Sequence, residues 1–131
     1  MKVLVSAYSC EPHRGSEPEI GWQWVIHLSE LCDVTVLTRE NNREEIECGL
    51  KGVSESKRPK FVYMDLSLPM KWLKKNAKPH SAGVIAYYFL WQQAAKKKIK
   101  FLTETNNYDL VHHSTMGAFR FPFAVIGHGL P

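Results

Sequence analysis

The chain has 131 residues, of which 44% are hydrophobic and 23% are charged, as expected for one globular domain with a hydrophobic core. Its three cysteines lack metal-ligand spacing, which predicts buried free thiols. No apolar run has the length of a signal-peptide core or a membrane span, which predicts a cytoplasmic protein. The net charge of +4 is unevenly divided, because residues 1–56 hold 5 basic and 10 acidic side chains whereas residues 57–101 hold 11 basic side chains and one acid.

Four short apolar or β-branched runs predict β-strands that are buried on both faces. In chain order they are "KVLV", "DVTVLT", "KFVYMDL" and "YDLVHHS". Helical patterns separate these runs, so the strands are expected to lie parallel and to be joined by right-handed crossovers. The alternation predicts an α/β fold, a Rossmann-like doubly wound parallel sheet with strand order 3-2-1-4.

Three helices are predicted between the strands. The first carries large apolar residues at helical spacing, namely Ile20, Trp24, Leu28 and Leu31. The second, "NNREEIECGLKG", is short and polar, with Asn41 or Asn42 as its cap and Gly52 as its stop. The third is long and covers about residues 83–105.

The end of the chain carries a further signal. After the fourth predicted strand, "FRFPFAVIGHGLP" predicts a short helix that runs into a turn. A doubly wound sheet normally continues with another strand here, so we expect the domain to be truncated before further strands. Strand four would then be an exposed edge that can pair with another copy.

The stretch "CEPHRGSEPEIGWQW" lies where the first strand leads into the first helix, at the sheet edge where open α/β folds bind ligands. Gly15 is expected to make the turn and Ser16 to form a capping box with Glu19, which would explain these residues by helix initiation alone. Alternatively, free amides near Gly15 and Ser16 face a ligand. Dinucleotide and P-loop motifs are lacking, and Glu17 and Glu19 would repel a polyphosphate but accept hydrogen bonds from sugar hydroxyls.

The opening strand, "GSEPEIGWQWV" and "YDLVHHSTMGAFRFP" together resemble the N-terminal domain of group 1 (family 4-type) retaining glycosyltransferases of the GT-B fold. The resemblance implies that residues 1–131 are an acceptor-side domain, with the C-terminal donor-binding domain absent. It implies transfer from a nucleotide-sugar donor to a saccharide or lipid-linked acceptor, with retention and with neither metal nor other cofactor. The donor would bind through the missing domain, so this chain alone is expected to be inactive.

The resemblance also implies roles for residues of the fourth strand. Asp109 and His112 match a pattern in which a histidine reaches the donor sugar, whereas Ser114 replaces the second histidine of that pattern and His113 is shifted by one position. Strand side chains alternate, so His112 and His113 should point to opposite faces. One of the two is expected to be catalytic and the other to pack beneath a helix.

Two further pairs of residues are candidates for binding substrate. Gly15 matches one glycine of a pair that lies near the donor phosphates in relatives, and Ser16 occupies the position of the second. Gly117 and Arg120 follow the fourth strand and could contact the acceptor or a phosphate, although Arg120 could equally be an ordinary surface arginine.

The basic middle of the chain contains two lysine-rich stretches with aromatic residues. In the first, the residues predicted to bind an anionic membrane are Lys71, Trp72, Lys74, Lys75 and Lys78. Membrane binding would suit a lipid-linked acceptor and a peripheral location on the inner membrane face. The second, "AYYFLWQQAAKKKIKF", is interpreted as a buried aromatic helix with a solvated lysine face.

Two other classes of function remain open. The domain could be a stand-alone binding module that uses the same cleft without chemistry. It could also be a basic nucleic-acid-binding domain with residues 57–101 as its footprint, although no nucleic-acid motif is present and no such partner is expected.

Overall fold

The structure, a computed structural model, describes residues 1–67 and 82–114. The strands are β1 Lys2–Ala7, β2 Asp33–Arg39, β3 Lys60–Met64 and β4 Leu110–Ser114. The α-helices of the described residues are α1 Ser16–Ser29, α2 Arg43–Leu50 and α3 Ala82–Thr105, and short 3₁₀ helices at Glu40–Asn42 and Glu55–Lys57 precede α2 and β3. The predicted long helix therefore begins one residue before its expected start.

The four strands form one parallel sheet in the order β3-β2-β1-β4, which confirms the predicted fold class and strand order. β1 is central, and its Val5 pairs with Val36 of β2 on one side and His112 of β4 on the other. The chain moves outwards from β1 to β3 and then returns to the far side of β1. This reversal between β1 and β4 is the position where open α/β sheets hold ligands.

The helices cover both faces of the sheet. Val3 and Val5 of β1 face one side and belong to the same buried cluster as residues of α1 and α2. Leu4 faces the other side and packs with the aromatic residues of α3. The two clusters follow from the alternation of side chains along a strand, since residues two apart share a face.

Helix α1 buries a different side from the one suggested by its large apolar residues. Trp22 and Val25 are buried against the sheet, and the Trp22 ring stacks 6.3 Å from that of Phe61. Ile20 is 64% exposed and Trp24 is 50% exposed. Both sets of residues have helical spacing, and a helix beside a sheet can bury only one of them.

Burial on both faces was predicted for every strand, and this prediction is wrong for β3 and β4. All residues of β1 and β2 are buried apart from those at the strand ends, whereas Phe61, Val62, Tyr63 and Met64 of β3 are only partly buried. β3 pairs with β2 alone and β4 with β1 alone, so they form the two edges of the described sheet, and Leu110, His112 and His113 of β4 are likewise only partly buried.

The three free cysteines also differ from one another, although all were expected to be buried. Cys10 is buried, Cys32 is partly buried and Cys48 is exposed. Burial raises the pKa of the Cys10 thiol to about 12, so this side chain stays protonated and packs as a small apolar group.

A close contact between helices gives a test of this packing. A Cβ atom added at Gly49 of α2 would lie 2.9 Å from both Pro12 Cγ and Trp22 Cζ2. Overpacking costs about 1–3 kcal/mol, which outweighs the roughly 0.5–1 kcal/mol that alanine gains over glycine within a helix. Gly49→Ala should therefore lower the free energy of unfolding measured in urea.

Gly52→Ala is the matched control, because among the described residues its Cβ would meet only the Gly49 carbonyl oxygen, at an ordinary contact distance of 3.6 Å. If Gly49→Ala were as stable as this control, the described contact between α2, Pro12 and Trp22 would be wrong.

Candidate functional site

The connection between β1 and α1 reaches the helix through a glycine turn. Gly15 immediately precedes α1 and has φ of 82°, a value that L side chains rarely adopt. Apart from its chain neighbours, no described residue has an atom within 4 Å of where its Cβ would be, so backbone conformation rather than lack of space favours glycine here. His13 is also left-handed, with φ of 61°, which is uncommon for a residue with a side chain.

The predicted capping box does not form. Gly15 occupies the capping position and Ser16 is the first residue of the helix, so the Ser16 hydroxyl does not cap it. The Glu19 carboxylate instead accepts hydrogen bonds from the backbone N–H of His13 and, at 2.7 Å, from Gln23 Nε2. The hydrogen bond from Gln23, and after it the one from His13, lowers the pKa of Glu19, so the carboxylate is ionised at neutral pH. The same two bonds connect the loop to the helix.

An open groove of about 900 Å³ runs along the exposed side of α1. Its lining residues are His13, Gly15, Ser16, Glu19, Ile20, Gln23, Trp24 and His27. The groove therefore brings together three of the predicted site residues, Gly15, Ser16 and Glu19. Ile20 and Trp24 were missed because the apolar pattern of α1 indicated packing, although α1 has more apolar residues than one helical stripe needs. The polar residues His13, Gln23 and His27 were also missed, and no sequence pattern marked them as ligand-binding residues.

The two histidines of β4 lie on opposite faces of the sheet, as predicted from strand alternation. His112 pairs in register with Val5, which faces α1, and its ring centre is 5.7 Å from that of Trp24. His113 is on the α3 face, where its ring nitrogens are shielded from solvent. His112 is thus the histidine connected to the groove, through the Trp24 ring.

Burial changes the protonation of His112. Partial removal from water lowers its pKa below the ordinary value of about 6.5, because desolvation disfavours the imidazolium. The ring is therefore neutral at pH 7 and can accept a hydrogen bond or proton at one nitrogen.

Polar side chains that the sequence interpretation missed lie at the carboxyl ends of β2 and β3. The Arg39 Nε donates to the carbonyl oxygen of Tyr8 at 2.8 Å, and its guanidinium carbon lies 4.2 Å from the centre of the Tyr8 ring. Asp65 accepts hydrogen bonds from the Tyr87 hydroxyl and from the backbone N–H of Leu66. Arg39 ends β2 and Asp65 follows β3, so strand-end position was a usable signal for both.

Burial affects the tyrosines of this edge. The pKa of Tyr8 is raised by burial, which outweighs the opposing effect of the nearby Arg39 charge. The pKa of Tyr87 is also raised, by burial first and then by its hydrogen bond to Asp65. Both hydroxyls are neutral at pH 7, so each can donate and accept hydrogen bonds.

The other predicted site residues fall in two groups. Glu17 is exposed in the first turn of α1 and does not line the groove. The remaining ones lie outside the described residues, and they are Lys71, Trp72, Lys74, Lys75, Lys78, Gly117 and Arg120.

Among residues 1–67 and 82–114, no three histidine, cysteine or acidic side chains lie together in a group that could hold a metal ion. No helix within these ranges is both long and apolar enough to cross a bilayer.

The parallel sheet, its strand reversal beside β1 and the groove along α1 define a Rossmann-like α/β domain with a candidate ligand site at its carboxyl edge. Comparison of the chain with protein-family models, with curated proteins and with solved structures found no match.

The lowered pKa of His112 predicts how stability depends on pH. Below about pH 6.5 the unfolded chain binds the His112 proton more readily than the folded chain, so the folded state loses stability as pH falls through this value. His112→Phe, which retains an aromatic ring beside Trp24, should reduce this loss. Urea unfolding at pH 7.0 and pH 5.5 measures it, and an equal loss in both proteins would contradict the assignment.

Proposed function

We propose that the chain is the acceptor-side domain of a retaining glycosyltransferase, which moves a sugar from a nucleotide-sugar donor to a saccharide or lipid-linked acceptor. The observation that carries the proposal is the groove along α1, which joins an exposed Trp24 ring to the polar groups of Glu19 and Gln23 beside the Gly15 turn. Its position next to the strand reversal is where a Rossmann-like sheet binds ligands.

The groove has the chemical character of a saccharide site. Sugar rings present apolar C–H faces and a rim of hydroxyls, and small-molecule sites combine apolar or aromatic walls with a few oriented polar groups. Trp24 and Ile20 supply the apolar wall. Each carboxylate oxygen of Glu19 accepts one hydrogen bond within the protein and retains capacity for a hydroxyl of the ligand.

The charge of the loop favours an acceptor over a nucleotide as the ligand of this domain. Glu17 and Glu19 lie in the first turn of α1, and their charge opposes the attraction of the helix N-terminus for a diphosphate. In the proposed enzyme, a second domain holds the nucleotide, and the groove presents the acceptor to it.

His112 is the best candidate for a direct chemical role. In the transfer, a bond forms between the acceptor oxygen and the anomeric carbon while the bond from that carbon to phosphate breaks and the nucleotide leaves with the electron pair. The acceptor hydroxyl also gives up its proton, which the oxygen of the departing phosphate takes. A neutral imidazole can accept a hydrogen bond from such a hydroxyl or from a hydroxyl of the donor sugar.

Saccharide binding by this chain is the first test. Titration with a panel of mono- and disaccharides, followed by NMR, should shift the indole N–H signal of Trp24. Trp24→Ala should weaken the binding by about 10-fold or more, because loss of an aromatic contact is worth roughly 0.5–1.5 kcal/mol beyond the buried area. Glu19→Gln should also weaken it, since an amide is a poorer acceptor than a carboxylate.

Leu31→Ala is the matched control for Trp24→Ala, because Leu31 is an 85% exposed apolar residue in the turn that follows α1 and does not line the groove. It should bind saccharides as the parent chain does. If no saccharide bound, or if both variants weakened binding equally, the acceptor-groove proposal would be wrong.

The histidines of β4 provide a second test, in an enzyme that includes the donor-binding domain. His112→Ala should lower kcat by about 10²–10⁴-fold, the usual contribution of a positioned acid–base group. His113→Ala should mainly lower thermal stability, because its ring is shielded beneath α3. A binding module without chemistry would give no transfer in any of these proteins, and near-full activity of His112→Ala would exclude its role.

A further inference from the structure

Helix α3 also carries exposed large apolar residues outside the side that it buries. Tyr87, Tyr88, Trp91, Ala95 and Ile99 form its buried side against the sheet. On its outward side the large apolar residues are Ile85, which is 45% exposed, Phe89 at 38%, Leu90 at 37% and Phe101 at 55%. We name this side the outward face of α3.

The outward face of α3 also carries most of the positive charge of the helix. Lys96, Lys97 and Lys100 are exposed, and α3 as a whole has four lysines against the single acid Glu104. Lys100 pairs with Glu104 at 3.8 Å, whereas Lys96 and Lys97 make no ion pair with any described residue. Their charge is therefore not neutralised within the described part of the domain.

The opposite layer of the domain has the opposite charge. Helices α1 and α2 together contain five glutamates and one arginine, and they pack on the other face of the sheet. A negatively charged surface would attract the outward face of α3 and repel the α1–α2 layer. The charge distribution thus selects one orientation for such a partner.

We propose that the outward face of α3 docks on an anionic lipid bilayer. Lysines beside exposed large apolar residues match the headgroup region of such a surface, where the charges meet lipid phosphates and the apolar side chains enter the acyl boundary. A nucleic acid would pair with the lysines and could stack on the phenylalanines, but it offers no partner for the aliphatic Ile85 and Leu90. The proposal does not depend on transferase activity.

The orientation of α3 gives docking a consequence for the site. The first half of the helix lies at the carboxyl edge of the sheet, because Tyr87 donates to Asp65 and Trp91 Nε1 donates to the Met64 carbonyl oxygen at 3.3 Å, both at the end of β3. The apolar residues Ile85, Phe89 and Leu90 are in this half. The carboxyl edge of the sheet is therefore next to the apolar half of α3 when α3 is docked, whereas the groove along α1 lies on the opposite face of the sheet and stays open to solvent.

Co-sedimentation of the full chain with vesicles tests the proposal. Vesicles that contain 30% phosphatidylglycerol should bind the chain, pure phosphatidylcholine vesicles should bind it far less, and added salt should weaken the binding. Replacing Lys96, Lys97 and Lys100 by glutamate should reduce it by about 100-fold, since each lysine near an anionic surface contributes about five-fold. These three side chains are exposed, and circular dichroism checks that the variant is folded.

The matched control reverses the charge of three exposed lysines that lie elsewhere, Lys2, Lys51 and Lys57. It has the same net charge as the α3 variant and should retain most of the vesicle binding. Equal loss in the two variants would mean that overall charge, and not the outward face of α3, is responsible, and would overturn the proposal.

The apolar part of the face has its own test. Phe89→Ser combined with Phe101→Ser should weaken vesicle binding at 0.5 M salt, where electrostatic attraction is screened. Binding to neutral vesicles as strong as to anionic ones would overturn the proposal. Tighter binding to a single-stranded RNA oligonucleotide than to anionic vesicles would overturn it in favour of a nucleic-acid surface.

Discussion

The positions of the candidate site residues depend on the pairing of β1 with both β2 and β4. β2 and β4 both form hydrogen bonds with β1 in parallel register, so the residues that pair with a given β1 residue have their side chains on the same face of the sheet as that residue. Val5 brings His112 to the α1 side, and Ser6 leaves His113 on the α3 side. A shift of the β4 register by one residue would exchange the two histidines, so the character of the candidate site depends on backbone hydrogen bonds within the sheet.

The position of α1 could be predicted from the sequence only in part. Apolar runs and their alternation with helices were sufficient for the strand order, since crossover handedness leaves few topologies. The buried side of α1 was not predictable, because Trp22 and Val25 compete with Ile20 and Trp24 at equivalent spacings. Contact with Phe61 and the close approach of Gly49 favour Trp22 as the buried ring. Such contacts between distant parts of the chain are not encoded in periodicity.

The loop before α1 shows a similar limit at smaller scale. Ser16 and Glu19 have the spacing of a capping box, but the left-handed backbone at Gly15 starts the helix at Ser16 itself. The Glu19 carboxylate then reaches the backbone of His13, three residues further back than the pattern predicts. A pattern of side chains can identify a helix start, whereas the backbone angles of the preceding turn decide which N–H groups are within reach.

The charge segregation along the chain becomes segregation in space through the topology of the sheet. The acidic residues 1–56 supply α1 and α2 on one face, and the crossover from β3 to β4 carries the lysine-rich helix α3 to the other. A sheet wound in one direction only would have mixed these charges on a single layer. With α3 against an anionic surface, the glutamates of α1 and α2 would be held away from it by repulsion. The groove along α1 would then stay open to a saccharide while the apolar half of α3 contacts lipid. The same separation of acidic and basic helices would therefore favour both saccharide binding and lipid binding.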